Sequence, residues 1–423
     1  MPRYSPINDA HPLRDTRPSA RSTTWIVCAV GLCAVGIGAA VVSLAGNRRE
    51  PPPVESSAKP SAPHTDGYCA AAKDYTKVTL KPVVDAPIAG LLPRSELLGA
   101  RKFEASDVIR LGEYFYAVCD SSWSVFRVHE TLPPLSPLNR QLRSAALETW
   151  AGDEESGFEG LLHDSSTTTH DDVDWTSFYA VRESVPTRRE EDDDTDDDDD
   201  DDDAGTSYHA VVMRLALSPP PATNFTVTEA CPSEFEFDGT SKGFEGVASL
   251  RGADGTLYLL GLCEGNHCAE GDRGKDQGNG RVVVMRREAV GAECLWRTVT
   301  TLSLPRTAAF VDYSALSIHH ATRAVAVSTQ EGSQLWVGQL AGGADGAFDP
   351  AAAEFSEGRV YDFARDGGCD PVYCNVEGIH WLEGGGDGTP QVLVAASDKM
   401  KSKGRQDFRC LAKDQSLHLF MIP

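Results

Sequence analysis

GFEGVASLRGADGTLYLLGLC, residues 243–263, is followed by GRVVVMRR at 280–287 and CLWRTVTTLSL at 294–304. These are four short apolar runs separated by breaks rich in Gly and Asp, the pattern of four consecutive strands. The pattern recurs. GFEGLLH (157–163) precedes SFYAVRES (177–184), YHAVVMRLAL (208–217) and NFTVTEA (224–230). YSALSIHH (313–320) precedes AVAVST (324–329), QLWVGQL (334–340) and GRVYDFA (358–364). Four strands per repeated unit is the signature of a propeller blade. Two further units open at ASDVIRL (105–111) and VEGIHWL (376–382); the latter is followed by QVLVAAS (391–397) and LHLFMI (417–422). That last unit lacks a strand, which TKVTLKPV (76–83) supplies in this reading, so that no long edge stays unpaired. RQLRSAALETW (140–150) is the segment with helical character. The expected fold is all-β, a five-bladed β-propeller.

Aligning the five openings makes Ser106, Glu159, Glu245, Ser314 and Glu377 equivalent, at intervals of 53, 86, 69 and 63 residues. An acidic run lengthens the second interval, and EGNHCAEGDRGKDQGNG (264–280) the third. In a propeller the opening strands line the axis, so three carboxylates converge. Like charges at close range do not all stay ionised without compensation. No Lys or Arg adjoins these positions in the sequence, whereas a cation would compensate. An all-oxygen donor set suits Ca²⁺ better than zinc, with Ser106 and Ser314 adding hydroxyl or backbone oxygen. Glycine after each acid, at 160, 246 and 378, admits a neighbouring strand closely. The competing reading is that each glutamate is a solvated rim residue.

The 423 residues carry a net charge of −24. Thirteen acids fall within the fourteen residues 190–203, so about −11 remains without them, and no basic stripe exists for nucleic acid. Residues 25–46 are uncharged and long enough to span a bilayer as a helix; Arg14, Arg17 and Arg21 precede them, and Arg48 and Arg49 follow. A cleaved signal peptide ending near Ser43-Leu44-Ala45 is the alternative, but the apolar stretch and its leader are both long for one. The expected organisation is a cytosolic tail (1–24), a transmembrane helix (25–46), a Pro- and Ser-rich stalk (47–67) and a β-propeller (68–423) with a disordered acidic insertion at 186–205. Nine cysteines and one sequon, Asn224-Phe225-Thr226, lie after the span. They fit a lumenal or extracellular domain with disulfides and a glycan on Asn224. An odd count leaves one thiol over. Cys263-x4-Cys268 and Cys369-x4-Cys374 lack the two-residue spacing of a zinc ribbon; the sequence leaves the pairing open. His319-His320 reads as a strand end, and His163-Asp164 and His170-Asp171-Asp172 as polar loop.

The order Ser, Glu, Glu, Ser, Glu resembles the calcium-activated nucleotidase (apyrase) family. ASDVIRLGEYFYAVCDSSWSVFRV (105–128) is similar to that family's first blade, and YSALSI and VEGIHWL to its fourth and fifth openings. The CEGNxC loop and GRVVVM strand also look like those of uncharacterised plant and algal propeller proteins. The resemblance implies a five-bladed propeller with one axial Ca²⁺ held by Ser106, Glu159, Glu245, Ser314 and Glu377. It also implies nucleoside di- or triphosphate hydrolysis, with Asp120 and Glu331 near the substrate. The chain departs from the family after Asp120, where no Arg precedes Arg127, and at Ser328-Thr329-Gln330-Glu331, where a Lys is missing. Phosphoryl transfer uses such cations. The expected function is therefore a membrane-anchored binding module for a protein or glycan partner, held together by Ca²⁺. A Ca²⁺-dependent nucleotide hydrolase is the alternative.

Overall fold

The computed structural model describes residues 78–97, 103–150, 155–164, 177–188, 206–219, 221–237, 243–264, 268, 277–291, 293–343, 347–366, 371–382, 391–399 and 413–423. The expected tail, transmembrane segment, stalk and acidic run lie outside them. Among the described residues no helix is long and apolar enough to cross a membrane.

The described chain is all-β with short helical turns. It begins with β1 (Val78–Thr79) and β2 (Lys81–Pro87), followed by α1 (Ile88–Leu91) and α2 (Arg94–Leu97). The first meander is β3 (Ala105–Leu111), β4 (Tyr114–Cys119), β5 (Ser122–His129) and β6 (Arg140–Leu142). After α3 (Ala145–Trp150) comes the second: β7 (Phe158–His163), β8 (Phe178–Arg188), β9 (Thr206–Leu217) and β10 (Phe225–Phe237). The third is β11 (Phe244–Arg251), β12 (Leu257–Cys263), β13 (Arg281–Val290) and β14 (Glu293–Ser303). The fourth is β15 (Ala315–Ile318), β16 (Ala324–Thr329), β17 (Gln334–Ala341), a short β18 (Glu354–Phe355) and β19 (Arg359–Asp362). The last is β20 (Val376–Leu382), β21 (Gln391–Ser397) and β22 (Ser416–Ile422).

Each meander pairs antiparallel in sequence order. Their first strands touch in a closed cycle: β3 with β7, β7 with β11, β11 with β15, β15 with β20, and β20 with β3. Five clusters of buried apolar side chains fill the spaces between successive meanders. On β12, Leu260 and Leu262 enter one cluster while Leu259 and Cys263 enter the next. A strand covered on both faces reads as a continuous apolar run, which is why LYLLGLC shows no polar alternation.

The segment expected to lock the ring does two jobs. β1 adds parallel to β19, whereas β2 adds antiparallel to β22 and completes the last meander from the N-terminal side. At the outer rim β10 and β14 pair at Ser233 and Trp296, and the Cys231–Cys294 disulfide crosses the same seam. Cys263 is bonded to Cys268, Cys374 is also disulfide-bonded, and Cys119 is a buried free thiol. The expected helix over 140–150 is shorter: Arg140–Leu142 continues the sheet through Leu142 opposite Val125, and only Ala145–Trp150 is helical. The ladder beside β5 overrides the helical pattern of that stretch.

Candidate functional site

The five openings coincide in register as well as in sequence. Against β8, Phe158 pairs with Arg182 and Gly160 with Val181, so Glu159 is the extra residue of a β-bulge. Glu245 is the extra residue between Phe244 and Gly246, Glu377 between Val376 and Gly378, and Ser106 between Ala105 and Asp107. In the fourth meander Ala315 pairs with Ser328, while the Ser314 N–H also donates to the Ser328 carbonyl at 3.0 Å. A bulge sets two residues against one and re-aims a side chain. It lets an acid stand at the head of a strand without turning the apolar residues behind it out of the core. Gly157 (φ 62°) and Asn375 (φ 51°) lead into two of these bulges through the left-handed region, which glycine and asparagine tolerate best.

The glycine after each acid marks where the next inner strand passes. A Cβ on Gly246 would lie 2.4 Å from the Leu316 nitrogen, and one on Gly378 2.6 Å from the Asp107 Cα. On Gly160 it would meet the Val247 side chain at 2.6 Å. Polar side chains then stitch the inner strands together. The Asp107 carboxylate accepts the Leu161 N–H at 2.7 Å, the Ser317 hydroxyl accepts the Trp381 N–H at 3.1 Å, and Ser249 donates to the His163 carbonyl at 3.1 Å.

At the head of the strands the field is negative. Burial, and then the neighbouring charges of Glu245, Glu377, Glu183 and Asp120, push the Glu159 carboxyl well above its ordinary value. The Gln330 amide donates to Glu377. Ser106 and Ser314 play a different part from the glutamates: Ser106 Oγ accepts the Asp120 N–H at 3.2 Å, and Ser314 Oγ donates to the Val376 carbonyl at 2.8 Å. Both hydroxyls tie turns and meanders together. Among the described residues, the carboxylates whose oxygens lie within 4.8 Å of one another are Glu183, Glu245 and Glu264. Glu183 and Glu264 were not singled out from the sequence. Their backbone N–H groups donate to Gly157 and Gly243, two residues before Glu159 and Glu245, which brings them to the same end. Glu245 thus belongs to both the ring of openings and this second group. The donor set fits a hard cation: it is carboxylate oxygen throughout, and carboxylates dominate the charge felt at Glu159.

Asp120 lies in the turn after β4, and its carbonyl accepts the Gly157 N–H at 2.7 Å, so it stands beside the head of β7. Glu331 is exposed in the turn after β16; its N–H donates to Asp312 at 3.0 Å. Asn224 is exposed just before β10. Arg182 lies at this end too, donating to the Ser156 carbonyl at 2.8 Å and stacked on Trp123 at 4.7 Å.

The other end of the inner strands bounds a cavity of about 220 Å³. All five inner strands line it, and its polar wall includes Arg110, His163, His319, His320 and His380. His163 is the last residue of β7 and buried, not in a polar loop; Asp164 is ion-paired with Arg251. Burial, then the charges of His320, Arg110, His319 and His163, push the His380 imidazole down to about 3.

A third constellation was invisible to sequence patterns. His418 Nδ1 lies 2.9 Å from Asp85, and its Nε2 lies 2.9 Å from the Ser397 hydroxyl. The atoms match a Ser-His-Asp relay. Ser397 and His418 are completely buried, however, and the Ser397 oxygen also lies 2.6 Å from the Lys413 carbonyl. Burial would raise the Asp85 carboxyl, but the bonds from His418 and Lys413 outweigh it and hold the group well below its ordinary value. The network clasps β2 to β22 and β21, and so closes the ring.

No protein-family model matches the chain, and no curated protein does. Among solved structures, the chain is similar to the β-propeller domain of Cps50 (Swd1) from Myceliophteria thermophila, at 9% identity and a TM-score of 0.32 over 81% of this chain and 100% of that one. It is also similar to the N-terminal domain of Nup159, at 8% identity and a TM-score of 0.24, covering 75% of this chain and 64% of that one.

Proposed function

We propose that the chain is a five-bladed β-propeller that acts as a binding module, with a Ca²⁺ ion on its axis holding the inner strands together. Glu159, Glu245 and Glu377 would hold the ion, with Glu183 and Glu264 beside them. The observation that carries this is the set of bulges: the extra residue of three inner strands is a glutamate, and the three charges bear on one another. Ca²⁺ would bring positive charge to these mutually repelling carboxylates. The partner is a protein or glycan, met through the long insertions between β8 and β9 and between β12 and β13. In this reading residues 25–46 anchor the domain to a membrane, and the domain faces the lumen or the cell exterior.

A nucleotide hydrolase remains the alternative, and Asp120 beside the ring is what favours it. An anionic nucleotide would meet Glu159, Glu245, Glu377, Glu183 and Asp120 at this end, so hydrolysis there depends wholly on the cation. Two measurements on the full-length protein separate the readings. The melting temperature should fall in EGTA and rise with Ca²⁺; about 2.7 kcal/mol accrues at a hundredfold excess over Kd. An unchanged melt removes the axial cation. Phosphate release from UDP, GDP or ADP in Ca²⁺ would make the chain a hydrolase; none is expected.

A further inference from the structure

We propose that the imidazole-lined end of the axial cavity is a binding site for a small tetrahedral oxyanion of the phosphate class. Four histidines and one arginine come to a single space from three inner strands and one turn: Arg110 from β3, His163 from β7, His319 and His320 from the turn after β15, and His380 from β20. The cavity holds about 220 Å³, so a phosphate-sized group with a short organic tail fits. Its wall is fixed, since Ser317 and Ser249 cross-link the inner strands within it.

Anion, rather than metal, follows from spacing and sign. A transition metal needs several imidazole nitrogens inside one coordination sphere. Among the described residues, the groups with three donor atoms within 4.8 Å of one another do not include these histidines. Only a ligand larger than a metal ion would reach several of them at once. Arg110 lies in the same wall, held by Glu130 at 2.7 Å, and would repel a cation. The carboxylates of the ring lie at the opposite end of the strands. Asp107, the acid lining the cavity, is bonded to the Val108 and Leu161 N–H groups.

The imidazoles also predict how the site responds to pH. His380 faces His320, Arg110, His319 and His163, and burial first, with their charges second, keeps it neutral when the cavity holds no anion. A bound dianion reverses that preference, because an opposite charge nearby favours the protonated ring. Binding is then coupled to proton uptake.

Calorimetry on the full-length protein with sulfate tests this, since sulfate keeps one charge state between pH 6 and 8. Sulfate should bind more tightly at pH 6 than at pH 8, by up to about tenfold per pH unit for each proton taken up. The heat should depend on the buffer's ionisation enthalpy. Inorganic phosphate and glycerol phosphate at fixed pH distinguish a free anion from a phosphate monoester by which binds better. The double variant His320→Gln/His380→Gln should lose the pH dependence and at least about tenfold in affinity. The wild-type pH profile and proton uptake stand as a test even if the double variant does not fold. Wild-type protein that binds no sulfate at pH 6, or binds it equally at both pH values, overturns the proposal.

Discussion

The two ends of the axis are built from the same five strands and carry opposite chemistry. Glu159 and His163 are the second and last residues of β7, and Glu377 and His380 are three positions apart on β20. At about 3.3 Å per residue, only some 10–13 Å separates the carboxylate end from the imidazole end. The contrast is steric before it is electrostatic. At the strand heads a bulge and a following glycine let inner strands pass backbone to backbone, with the Leu316 nitrogen 2.4 Å from where a Gly246 Cβ would be. There the acids are pressed together. Past that crossing the same strands line the cavity, whose wall carries four histidines. The two ends thus differ in what they would suit: the carboxylates a small hard cation, the imidazoles a larger anion.

The change expected to erase the comparison altogether is at neither end. Asp85 holds β2 to the last meander through His418, Lys413 and Tyr373, and that meander supplies both Glu377 and His380. Removing one partner of a buried pair costs about 3–5 kcal/mol. Asp85 is 24% exposed, so Asp85→Ala should fall at the lower end, with Asp85→Asn milder because it keeps hydrogen bonds. In denaturant titration both ligand responses, Ca²⁺ and sulfate, should weaken together. A variant as stable as the parent would show that ring closure does not depend on this clasp.

Gly246→Ala sharpens the comparison, because it strikes only the crowded end. Its nearest neighbours are the backbone atoms of Ala315 and Leu316, which cannot rotate aside. Overpacking of this kind costs about 1–3 kcal/mol. The melting temperature should fall and the Ca²⁺-induced rise should shrink, while sulfate affinity at pH 6 stays within about twofold, as it does for sites that do not share partners. An equal loss of both responses would mean that the ends are mechanically coupled.

How much of this was legible in the sequence divides along the same line. Glu159, Glu245 and Glu377 stand out because an acid beside glycine breaks an apolar run, and the bulges that accommodate them recur with the repeat. Ser106 and Ser314 were found by the same alignment, but their hydroxyls proved to be committed to backbone partners. Glu183 and Glu264 carry no signal, since one lies within β8 and the other just after β12, and each reaches the ring through a backbone bond to the glycine that leads into its own meander. The histidine end was misread for the opposite reason. His163 looks like polar loop and His319-His320 like an ordinary strand end when each is taken alone, and only closure of the ring sets them around His380. The clasp is further still from local pattern, since Asp85 and His418 are 333 positions apart in the sequence.

The smallest effect is the most specific. His380 titrates near 6.5 in the unfolded chain and at about 3 in the folded one. The folded state therefore prefers the neutral ring, and below pH 6.5 the unfolded chain binds the proton that the folded chain refuses. The stability contributed by neutral His380 is complete above pH 6.5 and declines as the pH falls from there toward 3. His418, lowered mainly by burial against the opposing pull of Asp85, acts with the same sign, so His380→Gln should flatten the decline without abolishing it. Denaturation midpoints at pH 7, 6 and 5 measure this: the variant should match the parent at pH 7 and exceed it at pH 5. Saturating sulfate should raise the parent's midpoint at pH 5 and leave the variant's nearly unchanged, because the anion stabilises the protonated ring that the variant lacks. A parent and variant with parallel midpoints across the three pH values would place the strain of the imidazole end on a residue other than His380.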